Sequence, residues 1–194
     1  MTTPTYGLTW TPNATLPETR AKAKLFARVD SSFTTDDALF DALVDAARLE
    51  FESATGRFLL DTVCVQRFDT FPPGGMTLAR GPLVATSDVA SVTYIDGAGA
   101  SQTVTSTDYD VINDRNPPRV VLAHGQTWPT PREQTFAVTV TFTAGYGAAA
   151  TDVPEIIKTA LKMQVAHYYN HRDIEGRKPL VDAVKRIADR YTIW

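Results

Sequence analysis

Residues 137–169 read AVTVTFTAGYGAAATDVPEIIKTALKMQVAHYY, and the change of period inside this run sets the fold class. Its first part alternates. Phe136, Val138, Val140 and Phe142 fall on one face and Ala137, Thr139, Thr141 and Thr143 on the other, the pattern of a half-buried strand. The alternation breaks at Gly145-Tyr146-Gly147, where two glycines admit backbone angles that other residues avoid. A loop of small residues follows, and Asp152-Val153-Pro154-Glu155 opens a helix. Asp152 is placed to cap free amides, Pro154 suits the first turn, and Glu155 lies three residues after the cap. The run joins a sheet to a packing helix and carries no catalytic motif, which points toward assembly.

Working outward, residues 1–14 are rich in Thr and Pro, with Tyr6, Leu8 and Trp10 alternating. This is an extended arm of the kind that docks on its own body or on a neighbour. Thr15-Leu16-Pro17-Glu18 has capping-box spacing and opens a short helix to about Arg28, with Leu25 and Val29 as its apolar content. Arg20, Lys24 and Arg28 recur every fourth residue as a basic stripe. We read it as a solvated face, with contact to an acidic surface or to phosphates as the functional reading. Thr34 to about Thr55 is the longest helix. Leu39, Leu43, Ala47, Phe51 and Ala54 form its expected buried stripe, widened by Phe40 and Val44, and Gly56 stops it. Asp37, Asp41, Asp45, Arg48 and Glu52 take the opposite side, with Arg48 and Glu52 spaced to pair.

Between Leu60 and Thr143 the chain is strand and turn: Val63–Phe68, Met76–Arg80, Val89–Ile95, Gln102–Thr105, Tyr109–Ile112 and Arg119–Leu122. Asp96-Gly97-Ala98-Gly99 is a hairpin signal. A polar linker, Asn170 to Pro179, leads to a last helix from about Leu180 to Tyr191, striped by Leu180, Val184, Ile187 and Tyr191. The expected class is α+β: a helical core of three to four helices with an inserted small β-sandwich or barrel-like domain and extended termini. The boundaries are an arm at 1–14, a helical part at 15–58, a β-rich part at 59–144, C-terminal helices at 152–191 packing with 15–58, and an end segment at 192–194.

A hydrophobic fraction of 43% lies far above the disordered range, so a core can form. The net charge of −3 does not imply a general grip on nucleic acid. The charge is divided, with eight Lys/Arg against five Asp/Glu from Glu155 onward and an acidic remainder. That split suits head-to-tail contact between copies or two different partners. The lone Cys64 excludes a disulfide framework within one chain and reads as a buried, inert thiol. No run has transmembrane length, and MTTPTYGLTW lacks the features of a signal peptide; the expectation is a soluble protein made in a cytoplasm, with no membrane partner.

Candidate chemistry is sparse. His167 and His171, four apart on a helix, have the spacing to reach one metal, but HYYNH lacks the glutamate of the zinc-protease motif, and a third ligand would have to come from Asp173 or Glu175. The carboxylates Asp36, Asp37, Asp41 and Asp45 read as a solvated helix face. The glycine clusters match no phosphate loop, and no GxSxG elbow occurs. No catalytic residue, cofactor or metal is assigned. The end of the chain differs. Tyr191, Ile193 and Trp194 behind a basic helix are apolar bulk that would cost solubility in water. We read them as an anchor inserted in a partner rather than folded back on their own core.

Taken in order, these pieces resemble the head–tail connector (adaptor) proteins of tailed bacteriophages and gene transfer agents. The features that carry the likeness are Ser53-Ala54-Thr55-Gly56-Arg57, the strand Val63–Phe68, Leu78-Ala79-Arg80-Gly81-Pro82-Leu83, Ser91-Val92-Thr93-Tyr94-Ile95-Asp96, Trp128-Pro129, Val138 to Gly147, Val153-Pro154 and His167-Tyr168-Tyr169. The resemblance covers roughly residues 15–194. It implies a homo-oligomeric ring, typically dodecameric, beneath the portal of a virion, made in a host bacterial cytoplasm. Such a ring extends the channel for double-stranded DNA and offers a platform for a stopper or tail-completion protein. By that analogy Ile187, Arg190, Tyr191, Ile193 and Trp194 contact the portal protein. Tyr6, Trp10, Arg20, Lys24 and Arg28 are expected at subunit or neighbour contacts, and Asp37, Asp41 and Asp45 at the channel. The alternatives are another neck component, such as a head-completion or stopper protein, a metal-dependent hydrolase using His167 and His171, or a β-sandwich ligand-binding module.

Overall fold

A computed structural model of the chain describes residues 7–11, 13–171 and 179–193. They divide into two compact units. One combines the described residues of the first thirteen with Asp61–Gly145; the other combines Ala14–Leu60 with Tyr146–Ile193. The first is β-stranded apart from a 3-10 turn at Thr86–Asp88 and the second is helical, so the chain is an α+β protein in which a β-rich segment is inserted between helices.

In the β unit, strands β1 (Gly7–Thr11), β2 (Thr62–Phe68), β4 (Val89–Ile95), β5 (Ser101–Thr103) and β8 (Val138–Ala144) form an antiparallel sheet in the order β1-β2-β8-β4-β5. Strands β3 (Met76–Thr77), β6 (Tyr109–Ile112) and β7 (Arg119–Leu122) form a second, in the order β3-β7-β6. The alternation in β8 does what its period requires: Val138, Val140, Phe142 and Ala144 are buried, with half-buried residues between them. Register extends this face across the sheet in rows. Leu8–Gln66–Val140–Val92 is one, and Trp10–Cys64–Phe142–Val89 is another. Phe136 departs from the expected alternation. It precedes the strand with φ 59° and is 42% exposed, its ring lying over Gly7. Gln66 is the one buried polar side chain in these rows. Its amide donates to the Thr77 carbonyl (3.0 Å) and accepts from the Ala79 amide (2.9 Å), tying the two sheets.

The N-terminal arm belongs to this unit. Strand β1 completes the edge of the five-stranded sheet, and Trp10 ends an inner-face row with the Arg80 guanidinium 5.7 Å above its ring. Trp10 thus contacts its own body while remaining 46% exposed. Tyr6 lies outside the described residues.

The helical unit comprises α1 (Arg20–Phe26), α2 (Asp37–Thr55), α3 (Glu155–Asn170) and α4 (Asp182–Tyr191). Helices α2 and α3 are antiparallel. Phe40 near the start of α2 stacks on Tyr169 near the end of α3 (4.6 Å), and the Tyr169 hydroxyl donates to Asp36 (2.8 Å). Phe40, Val44, Ala47 and Phe51 meet Ile157, Leu161 and Val165 in the core, and Val184 and Ala188 of α4 join them. Several local expectations shift. Thr15 does not cap α1; Thr19 does, accepting from the Lys22 amide, because Pro17 and Glu18 precede the helix rather than opening it. The buried stripe of α2 is rotated toward Phe40, Val44, Ala47, Arg48, Phe51, Glu52 and Thr55, leaving Leu39 and Leu43 half-buried and Ala54 exposed. Arg48 and Glu52 are thus not on a solvated face: Arg48 donates to Asp45 (2.7 Å), and Glu52 accepts from the Leu59 amide (2.9 Å). Asp152 caps no helix amide of α3, whose N-cap is Pro154; it accepts from the Ala149 amide and crowds Gly147, which at φ 146° has no room for a side chain. The expected stop at Gly56 holds, with φ 73° and its amide on the Glu52 carbonyl.

Replacing Gln66 by Leu keeps the volume but strands the Thr77 carbonyl and the Ala79 amide. We expect a loss of about 2–4 kcal/mol, read as a lower urea midpoint at unchanged slope.

Candidate functional site

Two places in the helical unit concentrate the predicted contact residues. The first lies where α1 meets the start of α2. The Arg20 guanidinium contacts Asp37 (2.7 Å) and Asp41 (3.1 Å). Lys24 is buried. Its ammonium donates to Asp37 (2.9 Å), to the Phe33 carbonyl (2.6 Å) and to the Ser31 carbonyl (3.3 Å), which satisfies all three protons. The basic stripe is therefore not a solvated face. Two of its three members are spent inside their own chain, and Arg28 alone is fully outward, with no acidic partner among the described residues. The expected acidic channel face changes in the same way, since Asp37, Asp41 and Asp45 each carry a cation of their own chain. Asp37 titrates below the ordinary value of 3.8, chiefly through the Lys24 hydrogen bond, with Arg20 adding to it against the cost of burial.

The second place is the end of the chain. Tyr191, Thr192 and Ile193 lie against the C-terminal end of α2, with the Ile193 amide on the Thr55 carbonyl (2.8 Å). Arg57 is buried, donates to the Tyr191 carbonyl and sits over the Tyr191 ring at 5.8 Å. Its other contact is the Tyr146 hydroxyl at 3.5 Å, whose pKa burial raises despite the nearby guanidinium. Ile187, Tyr191 and Ile193 are half-buried, the first two against the helical core. They do not form the exposed apolar tail expected from sequence; α4 is amphipathic enough to bury its own stripe. Arg190 is exposed, and Trp194 lies outside the described residues.

The remaining candidates are soon placed. His167 and His171 stack with ring centroids 4.4 Å apart, and His171 Nδ1 lies 3.0 Å from the His167 carbonyl. No group of three or more His, Cys, Asp or Glu residues suited to a metal occurs among the described residues, and Asp173 and Glu175 fall outside them. Cys64 is fully buried and its pKa is pushed up to about 12 by burial. Among the described residues no helix is long and apolar enough to cross a membrane.

Sequence reasoning passed over one feature, an exposed apolar group at the end of α1. Leu25 is 78% exposed, Phe26 44% and Phe33 45%. From sequence Leu25 reads only as part of the apolar content of α1. The available signal was the neighbouring pair Ala23-Lys24, which takes the inward positions of a helix only two turns long.

No protein-family model and no curated protein matches the chain. Its fold, in contrast, recurs along nearly the whole length of chains from gene transfer agent particles. A chain from the neck of an empty particle, with C6 symmetry, superposes with a TM-score of 0.74 at 20% identity, covering 96% of each chain. A chain from the virion of a native particle gives 0.73 at 22% identity, covering 95% of each. A third, from the neck of a native particle with C12 symmetry, gives 0.68 at 20% identity, again covering 96% of each. At these identities what is shared is the fold.

Because Asp37 is held ionised, the stability it contributes is complete above about pH 3.8 and is lost as pH falls through its lower folded value. Asp37→Asn should flatten the acid limb of the stability–pH profile while leaving its shape near neutrality unchanged, as measured by thermal melting across pH 2–7. For Cys64, a maleimide reagent at pH 8 is expected to label the native chain only as fast as it unfolds, and at once in denaturant.

Proposed function

We propose that this chain is a structural component of the neck of a tailed virus-like particle, in the role of a head–tail connector. The observation that carries the reading is coverage. The likeness to neck chains runs through 96% of both partners, so the helical unit and the inserted β unit recur together in one chain and in one order. A generic β module with helical additions would match over one unit only. On this reading many copies assemble in a closed ring, twelve being the number that the C12 symmetry of one such neck suggests. The ring docks beneath a portal, lines the passage for double-stranded DNA and receives a stopper or tail protein. The role is structural rather than catalytic.

The packing of the chain end reshapes the expected portal contact. Ile187, Tyr191 and Ile193 already serve their own unit, so a portal would meet the outer side of α4 through Arg190, with Trp194 following, unless α4 detaches. A different neck component is the reading that shares most of this support. The metal-dependent hydrolase reading has only the stacked pair His167 and His171 in its favour.

Deleting the gene in a particle-producing cell should yield filled heads without tails, visible by electron microscopy and restored by the intact gene. Tailed, stable particles from the deletion strain would overturn the proposal. Arg190→Glu with Trp194→Ala should leave melting unchanged and reduce capture of the chain by purified portal at least tenfold; unaltered capture would reject this portal contact.

A further inference from the structure

The end of α1 is built in an unusual way. Its last turn closes as a Schellman motif: the Val29 amide bonds the Lys24 carbonyl (2.9 Å) and the Arg28 amide bonds the Leu25 carbonyl (3.1 Å). The left-handed position in such a motif is ordinarily glycine, yet here Arg28 occupies it with φ 59°. The strained backbone carries an exposed cation, with no acidic partner among the described residues, just after the exposed Leu25 and Phe26 in sequence. Phe33, in the following turn, is a third exposed apolar side chain. It is not on a loose loop. The buried Lys24 ammonium grips the carbonyls of Ser31 and Phe33, and Asp30 closes the turn by accepting from the Ser32 amide and hydroxyl. This short stretch, with Leu25, Phe26, Arg28 and Phe33 all exposed and its turn fixed by these bonds, is termed the knob.

We propose that this knob is a subunit contact, and that it seats on the outer face of α2 in a second copy of this chain. The inference rests on the ring reading above and names the surfaces that reading leaves open. A closed ring needs two different, complementary faces on each subunit. The outer face of α2 supplies the second. Leu49 is 52% exposed there, and Ala38 and Ala42 on the same side leave room for aromatic rings. The charges complement each other: Arg28 is basic with no acidic partner among the described residues, while Glu50 adjoins Leu49; Asp45, one turn before Leu49, is already paired with Arg48 and is not counted. Pairing them neutralises the one outward member of the basic stripe and removes Leu25, Phe26 and Phe33 from water together.

Disulfide trapping tests the contact without requiring a preformed ring, and Cys64 is too buried to interfere. Phe26→Cys chains are mixed with Leu49→Cys chains at high concentration under mild oxidation. We expect a mixed 26–49 dimer as the main product, suppressed at least fivefold when Arg28→Glu is added and restored by Glu50→Arg on the other chain. Only 26–26 or 49–49 dimers, or none, would overturn the proposal. Arg28→Gly gives a second readout. It relieves the left-handed strain, so the melting temperature should hold or rise by about 2–4 °C, while the mixed dimer declines. A purely structural Arg28 would show the first effect without the second. Whether the chain resides in a neck at all is read separately, from the gene deletion, so failure of the contact and failure of the function are distinguishable.

Discussion

A buried ammonium must be neutralised and must place all three of its protons, and Lys24 meets that demand by fastening three segments at once. Its partners are the first turn of α2 and two carbonyls of the turn between α1 and α2. A methionine of similar length would fill the space but leave those carbonyls and Asp37 without their donor. The interaction therefore does more than stabilise. It determines which way α1 faces, and so decides that Ala23 enters the core while Leu25 and Phe26 stay in water. The surface chemistry of the helical unit follows from that one constraint.

The β unit answers to a different rule. Strand β8 is paired on both sides, by β2 and by β4, so its period of two is imposed on its neighbours row by row. A slip by one residue would expose Val138, Val140 and Phe142 together, which is why a short strand can hold a register. Gln66 then links that face to the second sheet through its single amide group. The two units are stabilised in different ways, one by register and the other by packing and paired charge. Their joint recurrence in neck chains with ring symmetry is what gives the structural reading its weight.

Acidic residues on a long helix are easily mistaken for a surface with a purpose. Asp37, Asp41 and Asp45 read from sequence as a solvated helix face because their cations lie elsewhere in the sequence or on another turn. Arg20 comes from the preceding helix, and Arg48 from one turn further along. The packing of Ile187, Tyr191 and Ile193 on their own unit was hidden from sequence for a related reason. Apolar residues behind a polar linker suggest a free anchor, but Arg57 lies 134 residues before Tyr191 and no local pattern announces that they meet.

What sequence determined here is whatever depends on near neighbours. Alternation marked β8, Gly56 ended α2, and the turn at Asp96 made a hairpin. Periodicity and turn residues act over a few positions, so they can be read there. Tertiary structure alone decided the rotation of α2 about its axis, the attachment of the N-terminal strand to its own sheet, and the difference between spent and unspent charges. Each of those depends on which distant groups share a low-dielectric space, and a desolvated charge or an unpaired strand edge takes its partner from wherever the fold brings one.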